Sequence, residues 1–172
     1  MSFEPPVDGV LLPPYRVLDL TGPEGVFCGK LLADYGADVV KIEPPGGDAA
    51  RQRAPFIGDE PGSERSSYFL FYNTNKRSVT IDIETPQGQD LLRKLAEAAD
   101  VLVESFPPGY MKSLGLDFDS LKSANPGLVM ASVTPFGQTG PWSGYQSSDL
   151  ISSAASGFMQ ITGDPDGPPL RQ

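Results

Sequence analysis

The chain has 172 residues, 39% of them apolar, and a formal net charge of −9, a balance that argues against nucleic acid or an anionic membrane as the main partner. No apolar run approaches the roughly 20 residues of a membrane span, and the acidic, proline-containing lead-in from Met1 to Pro14 is not a secretory signal. Histidine is absent, which removes Ser-His-Asp and Cys-His catalysis and His-based zinc sites, so any acid, base or nucleophile must be a carboxylate, Lys, Tyr, Ser or the lone Cys28.

In chain order, residues 1–14 read as an irregular lead-in and residues 15–172 as one domain. Tyr15 to Leu20 is a short apolar strand, followed by the turn Thr21–Gly25. From Val26 to Tyr35, Val26, Cys28 or Gly29, Leu32 and Ala33 recur at helical spacing, with Gly36 placed to end the helix. Asp38 to Glu43 is the next strand, and strand–helix–strand with short links predicts parallel pairing. Pro44 to Ser67 is a long polar loop with Arg51, Arg53 and Arg65, of a length that usually serves function or packs on a partner. Lys76 to Ile83 alternates as a strand. Thr85-Pro86 caps a helix that runs through Ala98 with Leu91, Leu92 and Leu95 on one face. A strand at Val101–Val103, short helices at 108–114 and 118–123, and a strand at Leu128–Val133 follow. A small-residue helix begins at Ser148 or Asp149 and ends near Gly163. The alternation predicts an α/β, Rossmann-like domain: a mostly parallel sheet flanked by helices.

Several segments carry two readings. Gly22 to Leu31 fails the phosphate-loop pattern, because Glu24 stands where a glycine is needed and Leu31 where Ser or Thr is needed. Cys28, one position off an apolar helix face, is expected to pack rather than react, and a chain with one cysteine fits a reducing compartment. Asn75-Lys76-Arg77-Ser78 is either a solvated turn or two cations that meet a phosphate. Asp149, Asp117 and Asp119 read as helix caps. Phe136 to Pro141 is either a plain loop or a stretch whose glycines let backbone approach a ligand.

Taken together, Arg16–Thr21, Leu32–Glu43, Asn75–Ser78, Asp100–Phe106, Leu114-Gly115-Leu116 and Gly137–Pro141 resemble the class III CoA-transferase family, which includes formyl-CoA transferase and α-methylacyl-CoA racemase. The resemblance runs from Tyr15 to Gln172. It implies movement of CoA between an acyl-CoA and a carboxylic acid through aspartyl intermediates, with coenzyme A as substrate. It also implies an interlocked dimer and a cytoplasmic enzyme without metal, nucleic acid or membrane. Glu24 and Gly25 would contact CoA, and Ile81 and Glu84 would lie at the adenine end. Ser105, Phe106, Tyr110, Ser113 and Leu114 would hold adenine and phosphates, with Lys76, Arg77 and Lys112 as the available cations. Gly137, Gln138, Thr139 and Gly140 would form the loop at the acyl end. No catalytic residue is expected within the chain: the nucleophilic aspartate would fall just beyond Gln172, supplied by a C-terminal half or a second subunit.

The sequence departs from the family pattern where phosphate is bound. Ser105, Pro107 and Ser113 replace an Asn and two Arg, with Lys112 one place early. A charge-assisted hydrogen bond to phosphate at such a position is worth about 1.5–3 kcal/mol. The sequence therefore predicts the CoA-binding N-terminal part of a transferase. The alternatives are a non-catalytic binding or assembly subunit and an acyl-CoA racemase or isomerase half. The racemase pattern has His before the acid where Ser148 stands.

Overall fold

A computed structural model of the chain describes residues 11–12, 15–164 and 166–170. The expected lead-in lies mostly outside the described residues. The described residues fall into two compact units, one ending at Thr134 and one starting at Pro135.

The first unit is a five-stranded, fully parallel sheet in the order β3-β2-β1-β4-β5. Its strands are β1 (Arg16–Leu20), β2 (Asp38–Glu43), β3 (Arg77–Thr80), β4 (Val101–Glu104) and β5 (Val129–Ser132). Val17, Val39 and Val103 point to one face and pack on Ala33 and Ala37 of the α1 region, α1 being Val26–Asp34. Leu18, Leu20, Ile42 and Leu102 point to the other face. They pack on Leu92 and Ala96 of α3 (Pro86–Glu97) and on Leu121 of α5 (Phe118–Lys122). Side chains alternate between faces with period two, so one set of short strands serves two helix layers.

The helices form where capping chemistry and apolar spacing agree. Thr85 Oγ1 accepts the Gly88 N–H at 3.1 Å and Pro86 occupies the first turn of α3, as expected. The buried line on α3 is Gly88, Leu92 and Ala96, spaced by four. Leu95 is half-buried, whereas Leu91 is exposed rather than part of the packed face. On α1 the buried residues are Val26, Gly29 and Ala33, so Gly29, not Cys28, lies on the inner face; Cys28 is exposed and its expected packing role is not met. Gly36, at φ 100°, follows the C-cap Tyr35.

The 44–67 segment is not featureless. It contains 3-10 turns at Ala49–Gln52 and Ile57–Asp59 and leads into α2 (Ser67–Tyr72), a helix the sequence did not suggest. Buried Ser66 caps α2 by accepting the Phe69 N–H at 3.1 Å, and its hydroxyl contacts the Ala50 and Arg53 carbonyls at 2.9 and 2.6 Å. After β4 come α4 (Tyr110–Ser113) and α5.

The second unit contains α6 (Asp149–Ala155) and a 3-10 turn at Phe158–Ile161. Ser148 is the N-cap, accepting the Ile151 N–H, and Asp149 begins the helix proper. The expected helix to Gly163 is interrupted at Gly157, whose φ of 79° cannot continue a right-handed helix.

Candidate ligand cleft at the carboxyl ends of the strands

From β1 the chain winds outward to β2 and β3, then crosses back to place β4 on the other side of β1. The carboxyl ends of β1 and β4 are thus a topological switch point, where open α/β sheets bind ligands. Two predicted segments meet there: the Gly22 N–H, in the turn after β1, donates to Ser105 Oγ after β4 at 2.7 Å.

Beside this staple is a cavity of about 460 Å³. Leu20, Ile42, Ile81 and Ile83 give it an apolar lining. Phe106 and Tyr110 add an aromatic pair with ring centroids 4.8 Å apart and planes inclined by 34°. Pro44 and Pro45 line it together with Glu43, Asp82 and Glu84. Tyr110 Oη donates to Glu84 Oε1 at 3.1 Å. Burial, with the adjacent Glu84 carboxylate, pushes the Tyr110 phenol above its ordinary pKa, so it remains a hydrogen-bond donor at neutral pH. Among the described residues, no Lys or Arg lines the cavity. The chemistry on offer is a flat, apolar slot with carboxylate acceptors, suited to a planar base bearing an N–H donor.

Four of the sequence-predicted residues come together in this cavity: Ile81, Glu84, Phe106 and Tyr110. Ser105 adjoins it through the staple to Gly22, and Leu114 packs with Phe106 on the apolar core. The Ser113 hydroxyl donates to the Tyr110 carbonyl at 2.7 Å, and Lys112 is exposed. Glu24 is exposed on the β1–α1 turn. Gly25 is buried, where a Cβ would stand 2.7 Å from Thr21 Cγ2. Gly137, Gln138, Thr139 and Gly140 belong to the second unit, in an exposed loop beside Phe136, whose ring meets Trp142 and Tyr145 edge-on.

Lys76 and Arg77 are placed differently from expectation. The Lys76 ammonium is 2.7 Å from Asp19 Oδ2, with side-chain exposures of 1% and 0%, and also donates to the Val26 carbonyl and Asn73 Oδ1 at 3.1 Å each. Burial pushes its pKa below the ordinary lysine value, against the pull of Asp19. Arg77 opens β3 at the amino end of the sheet, where its guanidinium holds both oxygens of Asp38 at 2.6 and 2.7 Å. A phosphate at the cleft finds neither charge free.

Lys76 belongs to a buried ionic layer that the sequence pattern did not reveal. Asp19 Oδ1 accepts the Thr21 N–H at 2.9 Å and the Thr21 hydroxyl at 2.6 Å, which shapes the turn after β1. Lys41 Nζ donates to the Thr21 carbonyl and meets Asp48 Oδ2, both at 2.8 Å. Glu43 receives Arg51 Nε at 2.6 Å, Arg51 Nη2 at 2.8 Å, the Asp48 N–H at 2.8 Å and the Ser78 hydroxyl. Burial alone would raise the Glu43 pKa, but these donors outweigh it and hold it at about 2. The available signal was alternation: Asp19, Lys41 and Glu43 occupy inward positions of strands with otherwise apolar neighbours.

Comparison with known proteins places this architecture. The model of CoA-transferase family III matches residues 12–172. The chain belongs to this family. Succinyl-CoA:(R)-benzylsuccinate CoA-transferase subunit BbsE of Thauera aromatica is 43% identical over 157 residues, 91% of this chain and 38% of the relative. Succinate–glutarate CoA-transferase of Agrobacterium fabrum is 42% identical over 172 residues, 98% of this chain and 42% of the relative. Among solved structures, a CAIB/BAIF family protein from Brucella suis superimposes with a TM-score of 0.86 at 39% identity, over 96% of this chain and 44% of that one. The chain therefore spans about two-fifths of the length of the curated relatives it matches. Among the described residues, no helix of this family member is long and apolar enough to cross a membrane, and no cluster of three or more metal-binding side chains occurs.

Proposed function

We propose that this chain is the CoA-binding part of a CoA-transferase that moves CoA between an acyl-CoA and a carboxylic acid. The observation that carries the proposal is the cleft itself. An apolar cavity with an aromatic pair lies at the switch point of a CoA-transferase family fold, and it contains four residues named for CoA from the sequence. In this reading the adenine ring enters beside Phe106 and Tyr110, and its exocyclic amine donates toward Glu84 or Asp82. The phosphates then lie outside the cavity, toward exposed Lys112. The aspartate nucleophile comes from polypeptide beyond Gln172 or from a partner subunit of an interlocked dimer. An aspartyl intermediate divides the exchange into steps that balance: the aspartate attacks the acyl-CoA to give a mixed anhydride and CoA thiolate, the thiolate attacks the aspartyl carbonyl to release the first acid and leave an aspartyl-CoA thioester, and the second carboxylate runs the same two steps in reverse, regenerating the aspartate. The two named relatives point to a succinyl group as the first acyl donor to test.

A second reading, a binding subunit without activity of its own, is favoured by the absence of Lys and Arg among the described residues of the cavity lining and by the designation of BbsE as a subunit. Calorimetric titration with CoA tests the shared part: micromolar binding that Phe106→Ala weakens supports the cleft, and no binding removes it. Intact-mass measurement of the assembled protein after succinyl-CoA separates the two readings. A covalent acyl or CoA adduct on the assembly marks a transferase, and binding without an adduct marks the inactive subunit.

A further inference from the structure

The wall of the cleft formed by Pro44 and Pro45 lies between two strand-anchored ion pairs. At its start, Glu43 is the last residue of β2 and is 2% exposed. At its end, Asp48 gives its N–H to Glu43 and its carboxylate to Lys41. Arg51 closes the loop. Its fork binds both Glu43 oxygens, its remaining nitrogen reaches Glu64 Oε1 at 2.6 Å, and its guanidinium lies 3.8 Å from the centre of the Phe69 ring. The cation therefore touches the strand end, the returning loop and α2 together.

Resting on the reading of this cleft as the CoA site, we infer that Arg51 is a positioning residue for ligand binding, acting through Glu43 to fix the Pro44-Pro45 wall. Arg51 is absent from the cavity lining, so its effect is transmitted rather than direct. Without it, Glu43 is a buried carboxylate with only Ser78 and the Asp48 N–H as donors. Such a group draws in water or takes up a proton, and the wall beside it moves. The groups around Glu43 are Arg51 and Asp48 from the loop, Lys41 on the same strand and Ser78 on β3. Asp82, Glu84 and Tyr110 share the cavity rim, and Asp19 with Lys76 lies further along the same sheet face.

The test compares the full chain with Arg51→Met, Arg51→Lys and the double variant Glu43→Gln/Arg51→Met. It uses calorimetric titration with CoA at about pH 7.5 and about pH 5, on protein whose far-UV spectrum matches the parent. Arg51→Met should bind about tenfold to a hundredfold more weakly at the higher pH, the scale expected when a supporting residue lets a site loosen. It should recover at the lower pH, where unpaired Glu43 accepts a proton, and at the higher pH the double variant should bind more tightly than Arg51→Met, short of the parent because Glu43 itself lines the cavity. A loss in Arg51→Met that the double variant does not lessen, or no loss at all, overturns the inference. Hydrogen exchange at residues 43–50 gives a second readout that needs no ligand. Protection should fall in Arg51→Met and return in the double variant, and unchanged protection overturns the inference. If Arg51→Met does not fold, Arg51→Lys, which keeps the charge and loses the fork, should bind CoA more weakly than the parent, and parent-like binding overturns the inference. If the parent fails to bind CoA while the exchange pattern holds, the cleft assignment is wrong and the wall-fixing role of Arg51 stands.

Discussion

The two faces of the sheet differ in how much charge they bury: buried Glu104 shares the face of Leu18, Leu20 and Leu102, whereas Asp19, Lys41 and Glu43 share the face of Val17, Val39 and Val103. Under α3 and α5, Leu18, Leu20, Ile42 and Leu102 build a dry interface of apolar side chains. Under the loop 44–53 and the start of α1, the same strands bury Asp19, Lys41 and Glu43, each matched to an opposite charge. The dry face derives its energy from area, at about 25 cal/mol per Å² of apolar surface removed from water, and tolerates inexact geometry. The ionic face gains little net energy over an apolar equivalent, but each pair admits one arrangement and penalises its loss heavily. That face holds the turn after β1 and the wall after β2, both on the ligand side of the sheet.

The sharpest way to break this comparison is to strand one buried charge. Lys76→Met should cost about 3–5 kcal/mol in urea denaturation, because Asp19 is left without a cation, and a second change of Asp19→Asn should return part of it. On the dry face, Leu92→Ala should cost about 2–4 kcal/mol with no dependence on salt or pH, since Leu92 is 0% exposed and sits among apolar side chains. If the apolar truncation is the more damaging, the assignment of specificity to the ionic face fails.

The pH response sharpens the contrast. The folded-state pKa of Glu43 lies below its usual 4.5, at about 2. Its contribution to stability is therefore complete above about pH 4.5 and disappears as the pH falls towards 2. Asp34 and Asp38, each held down chiefly by a hydrogen bond from Lys30 or Arg77, act in the same direction. Thermal melts should fall steadily across that window, and Glu43→Gln should show a shallower fall. The smallest effect is expected at the surface: Arg77→Ala removes an ion pair with exposed partners and should change stability by about 0.2–1 kcal/mol, lessened further by salt.

What the sequence made legible follows the same division. The β1–α1–β2 unit and α3 stand out because apolar spacing and the Thr85 cap agree, and the parallel order follows from their alternation. The dry core is written in local pattern. The ionic face is not: Lys76 and Asp19 are 57 positions apart, and a lysine before a strand has the same appearance whether it binds phosphate or a buried carboxylate. Helix α2 was hidden because, after Ser67, Tyr68–Tyr72 is a run of aromatic and aliphatic residues with no polar face to reveal a period. In the cavity, Ile81, Glu84, Phe106 and Tyr110 were reached through resemblance, while Pro44, Pro45 and Asp82, on turns with no period of their own, carried no signal.

Gly29 lies against the buried pair so closely that a Cβ there would stand 2.2 Å from Asp19 Oδ2 and 3.1 Å from Lys76 Nζ. Every other amino acid carries that atom, so no single replacement at this position leaves the pair where it is. The missing side chain at Gly29 is thus room reserved for the ion pair, and any residue with a Cβ can occupy the position only if the Asp19 carboxylate gives up its place.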